Sequence, residues 1–361
     1  MKKVLVKGFF ENNFGDDLFL KVLIERYPDT MFYFSSTSNY DYFLRKYTNV
    51  YIFKKFHIIY ILKTLFNKFM KLLKKDKIFR IENFFKFDEI VIVTGSLFME
   101  NKDTDLNEIK NNYDFKNVKY SILGCNFGPY ITDDFFDLHY NKIFYDARDV
   151  CFRDLYSYNL FKNLSNVRHA PDIVFNLNTD NINNIKSKKV VFSIMNCNKD
   201  DKYRIDEKVY ISKCIEMIKW FKRKDYQIKL VSFSKKQGDE EVIEKIINKI
   251  DCDNISKYFY RGNIDECLEY ISDSEIIVGT RYHANILGLL LGKDIIPISY
   301  SKKTDDALLE IGYKGKIIQL NELNNLKIDD KFKIFKNNVD IEKIKLAAND
   351  QFKQLDIIMN G

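Results

Sequence analysis

The alternation of short apolar runs with amphipathic stretches predicts a chain built from strands and helices in turn. Runs of apolar, often β-branched residues, such as 89–94 (EIVIVT) and 190–195 (VVFSIM), have the length of buried strands. Most of these runs are followed by a polar loop and then by apolar residues at helical spacing. Strands that alternate with helices form parallel sheets through right-handed crossovers. The pattern therefore predicts an α/β fold.

A polar stretch divides this series in two. Residues 178–189 (NTDNINNIKSKK) have no hydrophobic periodicity and read as a linker. We therefore expect an N-terminal domain over 1–178 and a C-terminal domain over 189–338. A last helical segment, 339–361, follows the second domain, and we expect it to pack back on the first.

The segment from Glu275 to Lys303 carries the clearest functional pattern. It predicts a buried strand, a turn in which Thr280 caps the next helix, that helix, and a second buried strand. Arg281 and His283 then fall at the helix start, at the carboxyl end of a parallel strand. Open α/β sheets bind ligands there, and a helix N-terminus favours an anion. A guanidinium and an imidazole at this point predict a phosphate or carboxylate site. The alternative is that Arg281 is solvated and His283 packs or caps the turn.

The first predicted strand is followed by a polar loop, FFENNFGDD, and a helix. Gly15 can take a positive φ and Asp16 can cap the helix, so the loop with Asn13 could form an anion cradle. It lacks both GxGxxG and the phosphate-binding lysine of a P-loop. A tight strand-to-helix turn without a ligand is the alternative.

The distribution of charge points to one basic segment. The net charge is +7, yet residues 54–80 contain nine Lys and Arg against Asp76, which leaves the rest of the chain at −1. This excludes a basic surface typical of nucleic-acid binding. The segment is amphipathic, and it predicts either contact with an anionic membrane or a helix that covers a sheet with its lysines in water.

Composition also limits the cofactors and the location. The six cysteines form no CxxC pair and there are four histidines, so we expect reduced thiols, no metal site and no cofactor. The N-terminus becomes polar too soon for a signal peptide, and no apolar run approaches the ~20 residues that span a bilayer. We expect a cytoplasmic protein, peripheral at the inner face of the membrane if the basic segment binds lipid.

Three further motifs lie at predicted strand ends. Ser96 follows a buried strand in VTGSLF, Arg153 stands at a strand-to-helix junction in CFRDLYS, and Asp172 follows a proline in APDIVF. A glycine-containing turn, LGCNFGP, lies between the first two. Their order along the chain, with NNFGDD before them and the Arg281 segment after them, resembles the polysaccharide pyruvyl transferase family.

The resemblance is carried by individual residues. NNFGDD is similar to the family's N-x-G-D element, and VTGSLF keeps the glycine and serine that end its glycine-rich strand. LGCNFGP has Asn126 in place of one family glycine. CFRDLYS and APDIVF are similar to Arg-Asp-x-x-Ser and Pro-Asp-x-x-Phe elements. The last segment keeps Arg-x-His, a proline strand and a Tyr-x-x-Lys ending, at Arg281, His283, Pro297, Tyr300 and Lys303.

The resemblance implies two Rossmann-like domains facing across a cleft, as in the GT-B fold, with the acceptor on the N-terminal side and the donor on the C-terminal side. It implies phosphoenolpyruvate as donor, a glycan or lipid-linked sugar as acceptor, and a pyruvate ketal as product. We assign His283 as general acid. Arg281 would hold the donor, Lys303 the leaving phosphate, and Arg153 a second anion contact. Asp16 or Asp172 would be the base, and the remaining substrate-binding candidates are Asn13, Gly15, Ser96 and Tyr300.

Two other functions fit the same pattern. A GT-B glycosyltransferase would place the diphosphate of a nucleotide-sugar at the same helix N-terminus. A non-catalytic partner in glycan assembly could keep the fold with some glycines lost, as at Val93, Thr94 and Asn126. The arginine and histidine of the last segment favour an enzyme.

Overall fold

The structure is a computed structural model that describes residues 1–54, 65–66, 85–115, 118–197, 205–250 and 254–360. Apart from the backbone of Lys54 and residues 65–66, the basic segment predicted over 54–80 lies outside the described residues, as does Cys252. No helix among the described residues is both long enough and apolar enough to cross a bilayer.

The chain forms two compact units, and neither is a single continuous stretch. Unit 1 consists of Met1–Glu11, Phe19–Ile173 and Ala347–Gly361. Unit 2 consists of Asn12–Leu18 and Val174–Leu346. Each unit therefore contains a piece from the opposite part of the sequence. The assignment of one unit to the acceptor and the other to the donor stays a prediction.

Unit 1 is built on a parallel sheet of seven strands in the order β3-β2-β1-β4-β5-β6-β7. The strands are β1 (Lys2–Lys7), β2 (Thr30–Ser36), β3 (Val50–Lys54), β4 (Glu89–Val93), β5 (Tyr120–Cys125), β6 (Asp149–Phe152) and β7 (Val167–His169). Strands β4, β5 and β6 are buried along their whole length, which explains their continuous apolar runs. The strand order reverses between β1 and β4, and ligands of such sheets bind beyond the carboxyl ends at that point.

Short helices connect these strands. They are α1 (Phe14–Arg26), α2 (Asp41–Lys46), α3 (Leu106–Tyr113), α4 (Asp133–Leu138), which continues into a π-helical turn (His139–Phe144), and α5 (Leu155–Phe161). A short 3₁₀ turn, Ile173–Asn176, follows β7. Much of the core on one face of the sheet is aromatic: Phe127, Phe144 and Phe161 are fully buried and their rings lie 4.8–6.0 Å apart.

Unit 2 repeats the same topology in a sheet of six parallel strands, ordered β10-β9-β8-β11-β12-β13. The strands are β8 (Lys189–Ile194), β9 (Gln227–Ser232), β10 (Ile255–Phe259), β11 (Ile276–Gly279), β12 (Asp294–Ser299) and β13 (Ile318–Gln319). Here the order reverses between β8 and β11. Both orders are those of doubly wound dinucleotide-type sheets, so the predicted α/β class with two parallel sheets is confirmed.

The helices of unit 2 are α6 (Glu207–Lys222), α7 (Asp239–Ile247), α8 (Ile264–Ser272), α9 (Tyr282–Leu290) and α10 (Lys302–Glu310), followed by a 3₁₀ turn (Leu320–Asn325) and by α11 (Ile341–Ala348). Helix α6 supplies Trp220 and Phe221 to the core, and α9 is buried over most of its length because it follows the central strand β11.

The C-terminal segment completes unit 1 through a 3₁₀ turn (Asn349–Phe352) and α12 (Lys353–Asn360). Asp356 accepts hydrogen bonds from Arg26 at 2.7 and 2.9 Å and from the hydroxyl of Tyr27 at 2.7 Å. Arg168 pairs with Asp149 through two bonds of 2.7 Å and also donates to the carbonyl of Gln351. The segment is therefore held to unit 1 by charged groups as well as by packing.

Candidate functional site

The predicted Arg281 segment lies where the strand order of unit 2 reverses. Strand β11 ends at Gly279, and Thr280 and Arg281 lead into α9. Arg281 is the residue before the first turn and His283 lies in that turn. The prediction that Thr280 caps the helix is wrong, because its hydroxyl instead shares a 2.9 Å hydrogen bond with the buried hydroxyl of Tyr210. No side chain in the described part of the chain caps α9.

Arg281 is held in one orientation by a buried carboxylate. Its Nε donates to Asp239 at 3.1 Å, its Nη2 donates to the other oxygen of the same carboxylate, and its Nη1 donates to Gln237. The Asp239 side chain is fully buried and that of Arg281 is 14% exposed. A paired buried guanidinium of this kind is fixed in plane and position, so Arg281 presents a defined edge rather than a mobile charge.

Asp239 joins three parts of the sheet edge. Besides Arg281, it accepts hydrogen bonds from the backbone amides of Asn196, Phe233 and Ser234 at 3.1–3.3 Å. Those amides follow β8 and β9, so one carboxylate ties the ends of both strands to the start of α9. Asp239 is not among the residues predicted from the sequence. Its only signal was a glycine-aspartate pair at the start of an acidic helix turn, which many helices share.

The segment Asn12–Leu18, which includes the first turn of α1, brings predicted residues from the start of the chain to His283. A Cβ atom added to Gly15 would overlap Nδ1 of the His283 imidazole, so the ring lies directly against the bare α-carbon. The amide of Gly15 donates to Asn13 Oδ1 at 3.2 Å. The loop is fixed by Phe14, whose amide donates to the Phe233 carbonyl at 3.0 Å. Asn13, Gly15 and His283 are thus assembled in one place.

The two acidic residues of this loop have different environments. Helix α1 begins at Phe14, so Asp16 lies in its first turn and the prediction that Asp16 caps the helix is wrong. Asp16 is half-buried. Asp17, which is not among the predicted site residues, is fully buried and accepts a 2.7 Å hydrogen bond from Tyr260. Asp17 therefore anchors the loop, while Asp16 stays the candidate for chemistry.

Tyr300 and Lys303 follow the neighbouring strand. Strand β12 pairs with β11 in register, with Gly279 opposite Pro297, and it ends at Ser299. Tyr300 is half-buried against the core of unit 2, and Lys303 lies in the first turn of α10. Both residues are placed at the carboxyl edge of the sheet, one strand away from Arg281.

A second cluster of predicted residues forms in unit 1. Arg153 follows β6 and its Nη1 donates to Asp172 at 2.7 Å, with side chains 9% and 1% exposed. Its Nη2 donates to Asn126 Oδ1 at 3.3 Å, and the same oxygen accepts from the Ser96 hydroxyl at 3.0 Å. A Cβ on Gly95 would lie 2.7 Å from Arg153 Nη2. Ser96, Arg153 and Asp172 are thus brought together.

Asn126, which the sequence suggested only as a lost glycine, is the centre of this cluster. Its amide oxygen joins Ser96 and Arg153, while its buried Nδ2 has no hydrogen-bond partner among the described residues. A buried amide donor left unpaired costs about 1–3 kcal/mol. The hydrogen bonds to the amide oxygen therefore hold Asn126 in an orientation that leaves its Nδ2 unsatisfied.

Gln351 supports the same cluster from the C-terminal segment. Its side chain is fully buried, accepts from the Gly124 amide at 2.9 Å, and donates to the carbonyls of Ala170 and Pro171 at 2.8 and 3.1 Å. These groups lie two residues before Asn126 and immediately before Asp172. Gln351 therefore fixes the loops that carry the cluster, and nothing in its local sequence signalled this.

Among the described residues, no group of three or more His, Cys, Asp and Glu is arranged to hold a metal ion. Both clusters offer hydrogen-bond donors and a paired guanidinium group, and the cluster in unit 2 adds the imidazole of His283, a set that suits an organic anion.

Comparison with known proteins identifies the family. The sequence model of the polysaccharide pyruvyl transferases matches residues 13–302, well over half of the chain. The chain belongs to the polysaccharide pyruvyl transferase family. This pyruvyl transferase family member is accordingly a transferase enzyme, and the match supports a role in polysaccharide pyruvylation. Lys303 and Gln351 lie beyond the matched range. A comparison with curated proteins finds no match.

Solved structures share the fold at low identity. The Anabaena protein Alr3699/HepE, in complex with UDP and glucose, has a TM-score of 0.56 and 13% identity, and the likeness covers 100% of both chains. The S. aureus protein MnaA, in a co-structure with UDP, has a TM-score of 0.54 and 10% identity over 90% of this chain and 86% of that one. UDP-GlcNAc 2-epimerase from Neisseria meningitidis, bound to UDP-GlcNAc, has a TM-score of 0.52 and 10% identity over 90% of both chains. These likenesses confirm the GT-B-like fold class of the pyruvyl transferase family member.

Proposed function

We propose that this protein transfers the enolpyruvyl group of phosphoenolpyruvate to two hydroxyls of a glycan sugar, forming a pyruvate ketal and releasing phosphate. The observation that carries the proposal is the assembly of His283, Gly15 and the Arg281–Asp239 pair at the start of α9. The family match supports pyruvylation of a polysaccharide as the outcome.

The chemistry needs one proton donor and one proton acceptor. Protonation of the methylene carbon leaves a cationic central carbon, which the first sugar hydroxyl attacks with loss of its proton. Departure of phosphate, with cleavage of its bond to the central carbon, lets the second hydroxyl add to that carbon and close the ketal, and its proton passes to the departing phosphate. We assign the first proton to His283, because an imidazole has an ordinary pKa close to neutrality.

The donor site would hold a small, doubly charged molecule. Because Asp239 balances the charge of Arg281, the attraction for phosphate and carboxylate would come from the α9 N-terminus together with Lys303, and Arg281 would set the orientation. Tyr300 would line the same edge. Asn13 and Gly15 would shape the loop that covers the imidazole.

We assign the base to Asp16 in preference to Asp172. The Asp172 carboxylate is buried and already holds Arg153, whereas Asp16 is half-buried and adjoins the glycine that contacts His283. Ser96 and Arg153 would then belong to the acceptor side in unit 1. There the Asn126 amide donor could be satisfied by a sugar hydroxyl.

Incubation with phosphoenolpyruvate and candidate glycans tests the proposal. Phosphate release that depends on the acceptor, with a mass gain of one pyruvate less one water on the glycan, is the expected result. Failure to release phosphate with any acceptor, from protein that is folded by circular dichroism, would argue for the non-catalytic alternative.

A GT-B glycosyltransferase that uses a nucleotide-sugar is the second candidate. It is favoured by the fold shared with proteins solved with UDP. A thermal-shift comparison separates the two functions, since a pyruvyl transferase should be stabilised by phosphoenolpyruvate and a glycosyltransferase by UDP or GDP.

A further inference from the structure

Unit 2 contains a groove that the site at the carboxyl edge does not use. It has a volume of about 440 Å³ and lies between β12 and β13 on one side and residues 325–335 on the other. Ile295 and Ile296, near the start of β12, form part of its lining, while Tyr300 and Lys303 follow the end of that strand. The groove therefore lies toward the opposite edge of the same sheet.

The apolar part of the groove is well fixed. Trp220 of α6 donates to the Asp329 carbonyl at 3.0 Å, and Lys213 of α6 donates to the Leu326 carbonyl at 3.1 Å. The ring of Phe332 lies 5.3 Å from that of Trp220, nearly perpendicular to it. The segment that forms this wall is thus tied to a core helix, and the groove is preformed rather than dependent on a ligand.

Phe335 closes the groove against the other wall. A Cβ on Gly315 would lie 3.0 Å from the Cβ of Phe335, so the two segments approach each other closely at this glycine. The Phe335 side chain is 42% exposed all the same, and it lines the groove together with Phe332. The groove thus offers aromatic surface to a ligand.

The rim of the groove is basic. Lys316, Lys327, Lys331 and Lys333 line it and are exposed, and within the described ranges their ammonium groups have neither a hydrogen bond nor an ion pair. Asp329 also lines the groove, but its carboxylate accepts the Lys331 backbone amide at 2.9 Å within its own turn. Unpaired cations around an apolar floor attract an anion that also has an apolar face.

We propose that this groove binds glycan that already carries pyruvate ketals, an inference that rests on the proposed function. A pyruvate ketal has a carboxylate, a methyl group and the C–H face of a sugar ring. The carboxylate matches the lysine rim, and the methyl group and ring face match Phe332 and Phe335. Each transfer adds one carboxylate to the polymer, so a modified chain acquires the charge that this rim attracts.

Such a groove would keep a partly modified polymer attached while further sugars are modified. Tethering raises the effective concentration of the remaining acceptors without any change at the catalytic residues. We therefore expect the groove to affect the distribution of ketals along long glycans and to leave the rate on a monosaccharide acceptor unchanged.

The test uses a matched pair of small ligands and the full chain. One is a methyl galactoside with a pyruvate ketal across two hydroxyls, and the other is the same sugar with an acetone ketal, in which a methyl group replaces the carboxylate. Saturation-transfer NMR should detect the pyruvate ketal, with its methyl group among the strongest signals, and should show at least about tenfold weaker binding of the acetone ketal.

Two sets of variants locate the binding. K331E/K333E should weaken binding of the pyruvate ketal about tenfold, since both an attraction is lost and a repulsion is gained. The matched control K162E/K249E reverses two exposed lysines elsewhere and should leave binding unchanged. Phe335→Ala should reduce transfer to the ketal methyl group while keeping the salt dependence of binding.

Equal binding of the two ketals, or unchanged binding in K331E/K333E, would overturn the inference. These outcomes are separable from failure of the proposed function. Protein that binds the ketal but never releases phosphate from phosphoenolpyruvate would refute the reaction and support the groove. Active protein whose K331E/K333E variant binds normally would refute the groove alone.

Discussion

Each unit places a buried arginine–aspartate pair just beyond the end of a strand, and the two pairs have different neighbours. In unit 1, Arg153 pairs directly with Asp172 and also donates to the Asn126 side chain, while Gln351 holds the loops before Asn126 and Asp172. In unit 2, Asp239 pairs directly with Arg281 and also accepts hydrogen bonds from three backbone amides, and the pair stands next to the helix start that carries His283. Both pairs fix loops beyond the strand ends, but among the described residues only the Arg281–Asp239 pair adjoins an imidazole.

The histidines make the contrast sharper. His139 of unit 1 lies among aromatic rings, and its burial lowers its pKa to about 4. It is therefore neutral near pH 7 and a poor source of a proton. His283 is only half-buried and lies at the edge where ligands of such sheets bind. This difference supports the proposal that proton transfer takes place in unit 2 and that unit 1 holds the sugar.

Replacement of His283 by alanine should have the largest effect on this comparison. We expect a loss in kcat on the order of 10²–10⁴ fold, with an unchanged circular dichroism spectrum, because the proposed proton donor is removed from the first turn of α9. His169→Gln in unit 1 is the matched control and should keep nearly full activity. Phosphate-release kinetics measure both. A near-normal rate for the alanine variant would remove His283 from the role of acid.

Gly15→Ala should damage unit 2 through the same imidazole. The new methyl group would overlap His283 Nδ1 and force the ring or the loop to move, so we expect lower activity and about 1–3 kcal/mol lower stability. In the H283A background the overlap disappears, so the stability penalty of Gly15→Ala should largely vanish. Denaturant unfolding of the four proteins measures this coupling. Additive penalties would mean that the two residues are not in contact.

Gln351→Leu should act on unit 1 alone. The change leaves the Gly124 amide and two loop carbonyls without their partner, at a cost of about 1–3 kcal/mol. If unit 1 holds the acceptor, KM for the glycan should rise more than KM for phosphoenolpyruvate. Gln227→Leu at an exposed position is the control for stability. A larger rise in KM for the donor would reverse the assignment of the two units.

The smallest expected effect is on the pH dependence of folding stability, to which one buried group in each sheet contributes with opposite sign. Burial raises the pKa of Glu89 in β4, although Ser121 and Arg148 partly offset this. Burial also lowers the pKa of Lys293, just before β12, to about 8. Between the ordinary pKa of a glutamate and its raised value in the fold, the folded state binds more protons, so stability falls as pH rises. Between about 8 and the ordinary pKa of a lysine, the unfolded state binds more protons, so stability rises with pH.

Thermal unfolding at a series of pH values checks both slopes. E89Q should flatten the dependence of stability on acidic pH and leave the alkaline dependence unchanged. K293M should flatten the alkaline dependence and leave the acidic one unchanged. Persistence of the alkaline slope in K293M would assign it to a different group.

The parts of the molecule that depend on local pattern were predictable from the sequence. Parallel strands, the connecting helices and the placement of Arg153, Asp172, Arg281 and His283 at strand ends all follow from apolar periodicity and turn residues. The helix starts at Tyr282, one residue later than a cap at Thr280 predicts, and Thr280 instead has a partner in Tyr210 that no local rule reveals.

Long-range partners were not predictable. Asp239 lies 42 positions from Arg281, and Gln351 lies more than 180 from the loop that it holds. A single sequence gives no signal for such pairs, since aspartate and glutamine are ordinary residues at a helix turn. Asn126 was seen only as a departure from a glycine pattern, although its amide oxygen is what joins Ser96 to Arg153.

The interleaving of the two units has a practical meaning for dissection of the protein. A fragment of residues 174–346 would include His283 but not the segment Asn12–Leu18, whose Gly15 lies against the ring. In this fragment one side of the imidazole would lose its packing partner. A synthetic peptide of residues 12–18 added in trans would be the natural way to restore that contact.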